Sequence, residues 1–107
     1  WAATHGVLTP QVPTGAAHPA HLYFLRLPAG LRRADFIGHL SARGIHTTFH
    51  YQPLQSSTAG QRFGRVVGDM ATTDALAENL VRLPLWPEMT EAQIGRVVEA
   101  VQETEPA

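Results

Sequence analysis

The sequence predicts an α/β (α+β) domain, in which a small sheet is covered by helices on one face. Strand-like and helix-like segments alternate along the chain in the order strand, helix, strand, helix, strand, helix. A length of 107 residues with 44% hydrophobic content fits one domain with a modest core. Packing the helices against a single sheet buries the apolar side of both kinds of element, which indicates a sandwich of two layers.

Residues 1–20 differ in composition from the rest of the chain. They contain three prolines among Thr, Gly and Ala, without helical or alternating periodicity. This composition predicts an extended connector between domains. The small α/β domain itself is expected to span residues 21–104.

Three segments have the composition of strands. Residues 21–27 place their side chains alternately on two faces and end at a proline, which favours a buried strand. Residues 45–51 are rich in Thr and aromatic side chains and predict a short second strand. Residues 81–85 are expected to form the third.

Three helices are predicted between and after these strands. Gly44 occupies the position of a left-handed helix end, behind four apolar residues at helical spacing: Leu31, Ala34, Ile37 and Leu40. Thr73 is expected to cap a short second helix that reaches Leu80. The sequence TEAQ at 90–93 is a capping box for the last helix, whose apolar residues follow the i, i+3, i+4, i+7 pattern: Ile94, Val97, Val98 and Val101.

Residues 55–70 have little apolar content and contain Gly60, Gly64 and Gly68. They predict a long irregular loop, and loops of this length are commonly functional. The glycines are not placed between a strand and a helix start, so the loop is not a phosphate cradle of the P-loop or Rossmann type.

Charge and composition exclude several classes of function. Eight Arg against nine acidic residues leave a formal net charge of −1, which argues against nucleic acid or an anionic membrane as partner. The absence of Cys removes disulfides and thiolate chemistry and suits a cytoplasmic protein. No apolar run is long enough for a membrane span, and the first residues show no signal-peptide pattern.

The histidines raise the question of a metal site. His46 and His50 are four residues apart, a spacing that serves zinc on a helix. The intervening residues are typical of a strand, and no third ligand is indicated nearby, so no metal site is predicted. His5, His18 and His39 are expected at the surface or at strand ends.

His50 and Tyr51 lie where a strand ends in a turn with proline, a position from which scaffolds often present side chains to a site. A neutral imidazole offers one hydrogen-bond donor and one acceptor, and a phenol offers a hydroxyl and an apolar face. Both suit a sugar rich in hydroxyl groups. On spacing alone, packing of Tyr51 at the domain edge and capping of a backbone group by His50 are the alternatives.

Two motifs point to one family. HYQPL at 50–54 and LPLWPEMT at 83–90 resemble the C-terminal part of the DegT/DnrJ/EryC1/StrS group of pyridoxal-phosphate enzymes, the nucleotide-sugar aminotransferases. AGQRFG at 59–64 is similar to the AGxxFG stretch of the subgroup that aminates dTDP-4-keto-6-deoxy sugars at C4. The resemblance runs from about residue 21 to residue 101, nearly the whole chain.

The resemblance implies the small C-terminal domain of a fold-type I aminotransferase. By that match, His50 and Tyr51 face the sugar bound over the cofactor. The family commonly has His where this chain has Gln55, a side chain that forms hydrogen bonds without titrating. The implied substrate-binding residues are therefore His50, Tyr51 and Gln55.

The resemblance also implies what this chain does not contain. All eight basic side chains are Arg, so the chain has no Lys for the Schiff base with pyridoxal 5'-phosphate. The expected intact enzyme is a cytoplasmic homodimer whose large domain, absent here, holds the cofactor. It transfers an amino group from L-glutamate to a dTDP-linked keto sugar. The 107 residues alone, with no catalytic residue and no cofactor-binding residue, are expected to be inactive.

Other side chains are candidates for contacts with the nucleotide diphosphate or with a partner. Cationic side chains suit a diphosphate, and four are conceivable: Arg26, Arg62, Arg65 and Arg82. Of these, Arg62 and Arg65 in the predicted loop are the choice for a phosphate or interface contact, against the alternative of solvated charge. Trp86 is expected to pack at a domain or subunit boundary, with a place at the substrate entrance as the alternative.

Two alternatives in function remain open at the level of sequence. In related sugar dehydratases the Schiff-base Lys is replaced, and that position lies outside this chain. A free-standing module that binds a sugar nucleotide or a protein, without catalysis, would also account for the absence of Lys. The chain begins with Trp1 rather than Met, which favours a piece of a longer enzyme.

Overall fold

A computed structural model describes residues 1–104. Two short 3-10 turns lie at Ala3–His5 and Leu54–Ser56. The helices and strands follow in chain order: β1 (Tyr23–Arg26), α1 (Arg33–Ala42), β2 (Thr48–Phe49), α2 (Thr58–Phe63), α3 (Ala71–Asn79), β3 (Leu80–Leu83) and α4 (Glu91–Gln102). The predicted α/β class is confirmed.

The sheet has three antiparallel strands in the order β1-β3-β2. Val81 of the central strand lies opposite Leu25 of β1 on one side and Phe49 of β2 on the other. The predicted second strand at 45–51 was too long. In this register Tyr51 would lie opposite Asn79, where α3 ends, so strand pairing has no partner beyond His50.

Helices α1 and α4 pack on each other, and α1 also packs on β3. Phe36 and Leu40 of α1 and Val81 of β3 have no exposed surface. These three side chains form the centre of one core. Their burial stabilises the fold, because removing large apolar groups from water is the main favourable term in folding.

The ends of α1 and α4 follow the signals in the sequence. Gly44 has φ of +71°, a left-handed conformation that glycine adopts without steric cost. At the start of α4, the hydroxyl of Thr90 accepts from the backbone N–H of Gln93, and the Gln93 side chain accepts from the N–H of Thr90. The capping box is confirmed.

The buried face of α4 is rotated from the predicted stripe. Its buried side chains belong to Val97, Ala100 and Val101, whereas Ile94 and Val98 are nearly half exposed. The buried face of α4 is turned toward α1, because the two helices pack on each other. Ile94 and Val98 lie on its flank.

His39 differs from the surface placement expected for it. Its Nε2 lies 3.0 Å from the carbonyl oxygen of Ala100, and its Nδ1 lies 3.2 Å from Nη1 of Arg43. Since guanidinium groups only donate, Nδ1 accepts and Nε2–H donates to Ala100. His39 therefore joins α1 to α4.

The expectation of an extended connector is wrong for the first eight residues. Ala3–His5 form a 3-10 turn, and Val7 is buried in the core. Leu8 and Arg26 exchange two backbone hydrogen bonds of 3.0 and 2.9 Å, which attaches the segment to the edge of β1. The role of residues 1–20 between domains stays a prediction.

Residues 50–70, here named the β2–α3 connection, are more ordered than the irregular loop predicted. They contain the turn Leu54–Ser56 and helix α2. The Ser57 hydroxyl caps α2 by accepting from the N–H of Gly60, 3.0 Å away. A Cβ on Gly60 would lie 1.7 Å from the carbonyl oxygen of Leu54, so only glycine permits this approach.

Two other boundaries differ from prediction. Helix α3 begins at Ala71, not at Thr73, and the carboxylate of Asp69 accepts from the N–H of Ala71 at 2.8 Å. The third strand ends at Leu83 rather than at 85. Among residues 1–104, no helix has the length and apolar content that crossing a membrane requires.

Candidate functional site

The site is built where β2 runs into the β2–α3 connection. His50 and Tyr51 follow the last residue of the strand, and both are exposed. Their rings meet edge to face, with centroids 5.3 Å apart and an interplanar angle of 66°. With 73% of its surface exposed, Tyr51 presents a ring and a hydroxyl to any ligand on this side of the domain.

Arg82 of the central strand lies against the ring of Tyr51. Its guanidinium carbon is 5.6 Å from the centroid of the Tyr51 ring, within the range of a cation–π interaction. Its Nε is inaccessible to solvent and has no hydrogen-bond partner among residues 1–104. A donor in this state costs about 1–3 kcal/mol relative to a bonded one.

A groove of about 540 Å³ opens beside Tyr51, between the connection and α3. Arg33 closes one side, where it lies 5.4 Å from the ring centroid of Phe49 and donates to the carbonyl of Ala77. Charged and aromatic groups meet in the lining: Arg33, Phe49, Tyr51, Gln52, Pro53, Ser56, Asp74, Ala77 and Glu78.

Gln55 does not join His50 and Tyr51. Its amide donates to the carboxylate of Asp74 at 3.0 Å, which fastens the connection to α3. It lines a neighbouring groove of about 370 Å³ together with Leu54, Arg65 and Met70. The structure thus brings together two of the three predicted substrate residues, and contact of any of the three with substrate stays a prediction.

The remaining candidates occupy separate surfaces. Arg62 lies 5.0 Å from the ring centroid of Phe63, and both side chains belong to α2. Arg65 lines the second groove. Trp86, less than half exposed, lines a groove of about 320 Å³ with His46 and Met89, and its place at a boundary stays a prediction.

The chain's own residues do not fit the cofactor that the resemblance implies. Pyridoxal phosphate needs a lysine amine for its Schiff base, and none of the eight basic side chains is Lys. Within residues 1–104, no three His, Asp or Glu side chains are grouped to hold a metal ion.

Sequence reasoning missed the parts of the site that come from α1 and α3. Arg33 and Asp74 reach the groove through the packing of these helices, and no local motif distinguishes them from solvated charges. Arg82 was one of four conceivable arginines. Its place in the central strand distinguishes it from the other three, and the fold rather than a local sequence signal sets that strand order.

Solved structures with the same fold indicate the class of protein. The crystal structure of S. venezuelae DesV aligns with 91% of this chain at a TM-score of 0.79 and 30% identity. The PLP form of Spr1654 from Streptococcus pneumoniae aligns with 94% of it at a TM-score of 0.76 and 26% identity. The fold is that of a domain present in aminotransferases.

The family follows from sequence. The profile of the DegT/DnrJ/EryC1/StrS aminotransferase family matches residues 2–102. The dTDP-3-amino-3,4,6-trideoxy-alpha-D-glucose transaminase of Micromonospora megalomicea is 30% identical over 102 residues, which cover 94% of this chain. The chain belongs to the DegT/DnrJ/EryC1/StrS aminotransferase family.

This chain is short beside its relatives. It spans 26% of the length of the Micromonospora transaminase, and 26% of each of the two solved chains. About three quarters of each relative therefore have no counterpart in these 107 residues.

Proposed function

We propose that this chain is the substrate-facing small domain of a pyridoxal-phosphate aminotransferase. The intact enzyme transfers an amino group from L-glutamate to the C4 keto carbon of a dTDP-linked 4-keto-6-deoxy sugar. Membership of the aminotransferase family supports the reaction class, and the motif AGQRFG at 59–64 supports the C4 subgroup. A homodimer in the cytoplasm is the expected form of the intact enzyme.

The observation that best supports this function is the exposed ring pair at the end of β2. Tyr51 is 73% exposed although it lies two residues after the end of a strand of the sheet. An aromatic face packs on the apolar face of a sugar ring, and its hydroxyl and the imidazole of His50 supply hydrogen bonds. The two side chains can orient a sugar without taking part in proton transfer.

Because this chain has no Lys, we expect it to contribute substrate binding, while the rest of the enzyme contributes the cofactor. When bound, pyridoxal phosphate supplies the chemistry that carries the amino group, and the part of the enzyme outside these residues holds it. His50 and Tyr51 contribute binding and orientation, which lower the barrier by placing the reacting carbon correctly. The 107 residues alone are expected to show no turnover.

One observation favours a second carbon. The Micromonospora relative is named for a 3-amino sugar, whereas the motif at 59–64 indicates amination at C4. Amination at C3 of a dTDP-linked keto sugar is therefore the second candidate. The position of the amino group in the product distinguishes the two.

The first test uses the full-length natural protein. Its visible absorption is recorded with pyridoxal phosphate, before and after L-glutamate, and the dTDP-linked 4-keto-6-deoxy sugar is then added. An aminotransferase loses the band of the bound aldehyde form with glutamate and recovers it with the keto sugar. Proton NMR of the product assigns the carbon. Loss of water from the sugar without amine transfer would indicate a dehydratase, and a protein that takes up no cofactor would indicate a binding module.

The second test addresses the ring pair. Tyr51→Ala and His50→Gln are expected to raise KM for the keto sugar about tenfold, equivalent to about 1.4 kcal/mol. The half-reaction with L-glutamate should keep its rate. Tyr23→Phe, on β1, is the control because Tyr23 is also exposed but lies outside the site. Equal losses in both half-reactions would contradict a role on the sugar side.

A further inference from the structure

Arg82 has a buried N–H donor without an acceptor among residues 1–104, and the sheet defines the position of its backbone. It lies in the middle strand of the sheet, opposite Phe24 on one side and Thr48 on the other. Its Nε has lost contact with water and has gained no acceptor among residues 1–104. Thr47 Oγ1 is the other buried side-chain atom in this state there, but a neutral hydroxyl has no charge to balance.

Most other arginines have identified partners. Arg32 and Arg43 form ion pairs with Asp35 and Glu103. Arg33 donates to the carbonyl of Ala77, and Arg96 donates to the carbonyl of Arg43 at 3.3 Å. Among residues 1–104, the partner identified for Arg82 is the ring of Tyr51, which attracts a cation but accepts no in-plane hydrogen bond.

We propose that Arg82, next to the Tyr51 ring, binds an oxyanion group of the substrate. This inference rests on the proposed function, because that function places the substrate at Tyr51. A guanidinium presents a fork of N–H donors that matches phosphate or carboxylate oxygens, often with two parallel hydrogen bonds. A bound oxyanion would supply the counter-charge that the described residues do not provide.

Two groups in the proposed reaction have this chemistry. One is the diphosphate of the nucleotide sugar, and the other is a carboxylate of L-glutamate. Both are oxyanions that a guanidinium recognises. The pairing of Arg82 with Tyr51 does not distinguish the diphosphate from the carboxylate, so the test measures binding of a separate probe for each group.

The test uses the full-length enzyme loaded with pyridoxal phosphate. Calorimetry measures the binding of inorganic pyrophosphate, and the concentration dependence of the cofactor's absorption change measures the affinity for L-glutamate. We expect Arg82→Gln to weaken one probe at least tenfold and to leave the other within twofold. The weakened probe identifies the diphosphate or the carboxylate as the partner. Arg82→Lys, which keeps the charge without the fork, should fall between wild type and Arg82→Gln.

Arg96→Gln is the matched control. Arg96 is exposed on α4 and lines neither the groove beside Tyr51 nor the groove beside Gln55. A general effect of charge would weaken binding equally in both variants and would overturn a specific site. Unchanged affinity for both probes in Arg82→Gln and Arg82→Lys would also overturn it.

Two further measurements distinguish loss of the oxyanion site from misfolding of a variant and from failure of the proposed function. Thermal melting of each variant identifies loss of structure, and Arg82→Lys then decides if Arg82→Gln does not fold. A wild-type enzyme that reacts with glutamate while the Arg82 variants bind both probes normally overturns the oxyanion site alone. A wild-type enzyme that neither reacts with glutamate nor binds pyrophosphate overturns both proposals.

Discussion

The body of the domain and the β2–α3 connection hold their apolar side chains in opposite ways. In the body, formed by the sheet with α1 and α4, Phe36 and Val81 have no exposed surface. In the connection, Leu54 is 83%, Phe63 78% and Val67 83% exposed. Burial therefore stabilises the body, whereas the connection depends on local hydrogen bonds and on the close approach at glycine.

The exposed apolar side chains of the connection indicate that it contacts another protein surface. Exposed apolar groups that lie together commonly mark contact with another surface. The chain is less compact than its length predicts, with a radius of gyration of 15.8 Å against about 13 Å for a typical domain of this size. We expect the connection to be covered in the intact enzyme by residues outside this chain.

The largest effect in stability should come from the core. Phe36→Ala is expected to lower the free energy of unfolding by about 3–5 kcal/mol, because it removes a fully buried ring and leaves a cavity. Phe63→Ala, the same change in the connection, should alter it by about 0.5 kcal/mol or less. Urea denaturation of the purified chain, followed by circular dichroism, measures both. Similar losses in the two variants would break the distinction between the regions.

The second largest effect on stability is expected at Gly60, which lies against the carbonyl oxygen of Leu54. Gly60→Ala places a Cβ against the carbonyl oxygen of Leu54, so α2 and the turn Leu54–Ser56 must separate. Amide hydrogen exchange should show a loss of protection of about 1–3 kcal/mol in residues 57–64. Gly95→Ala in α4, where a Cβ meets nothing within 4 Å, is the control and should stabilise its helix by up to about 1 kcal/mol. Unchanged exchange in Gly60→Ala would contradict the close fit.

A smaller effect separates the two helix caps. Thr90→Ala removes the capping box of α4, which packs in the core, and should lower the global free energy of unfolding by about 1 kcal/mol. Ser57→Ala removes the cap of α2 and should increase exchange in that helix without changing the denaturation midpoint. An equal shift of the midpoint in both would show that the connection unfolds together with the body.

The smallest effect is expected at the surface of the body. Arg43 and Glu103 form an ion pair of 2.7 Å, and both side chains are substantially exposed. Glu103→Gln should change the free energy of unfolding by about 0.5 kcal/mol or less, because solvent and salt screen exposed pairs. Denaturation at low and high salt checks this value. A loss above about 1 kcal/mol would show that the pair, with its neighbour His39, stabilises the contact of α1 with α4.

The elements that depend on short-range signals were predictable from sequence. Gly44 ends α1 and the capping box at 90–93 begins α4, because these residues satisfy backbone groups within one turn. Helix α2 was not predictable, because Gly60 within it has low helix propensity and its role depends on Leu54, which lies before the helix.

The site was predictable in part for the same reason. His50 and Tyr51 are adjacent in sequence and follow a strand, so their proximity required no knowledge of the fold, whereas their spacing alone did not predict their exposure. Gln55 turns to Asp74 of α3, and Arg82 reaches Tyr51 across the sheet. These two contacts depend on strand order and helix packing, which the periodicity of one chain does not encode.

The fit of Gly60 against Leu54 has a consequence for protein engineering. The motif that ends in Leu54 and the motif that contains Gly60 form one folded unit, since the carbonyl of the first occupies the space where a side chain of the second would lie. Transplanting the first motif alone into a related enzyme without glycine at the position of Gly60 would create a steric clash. A graft should therefore exchange residues 50–64 as a single cassette.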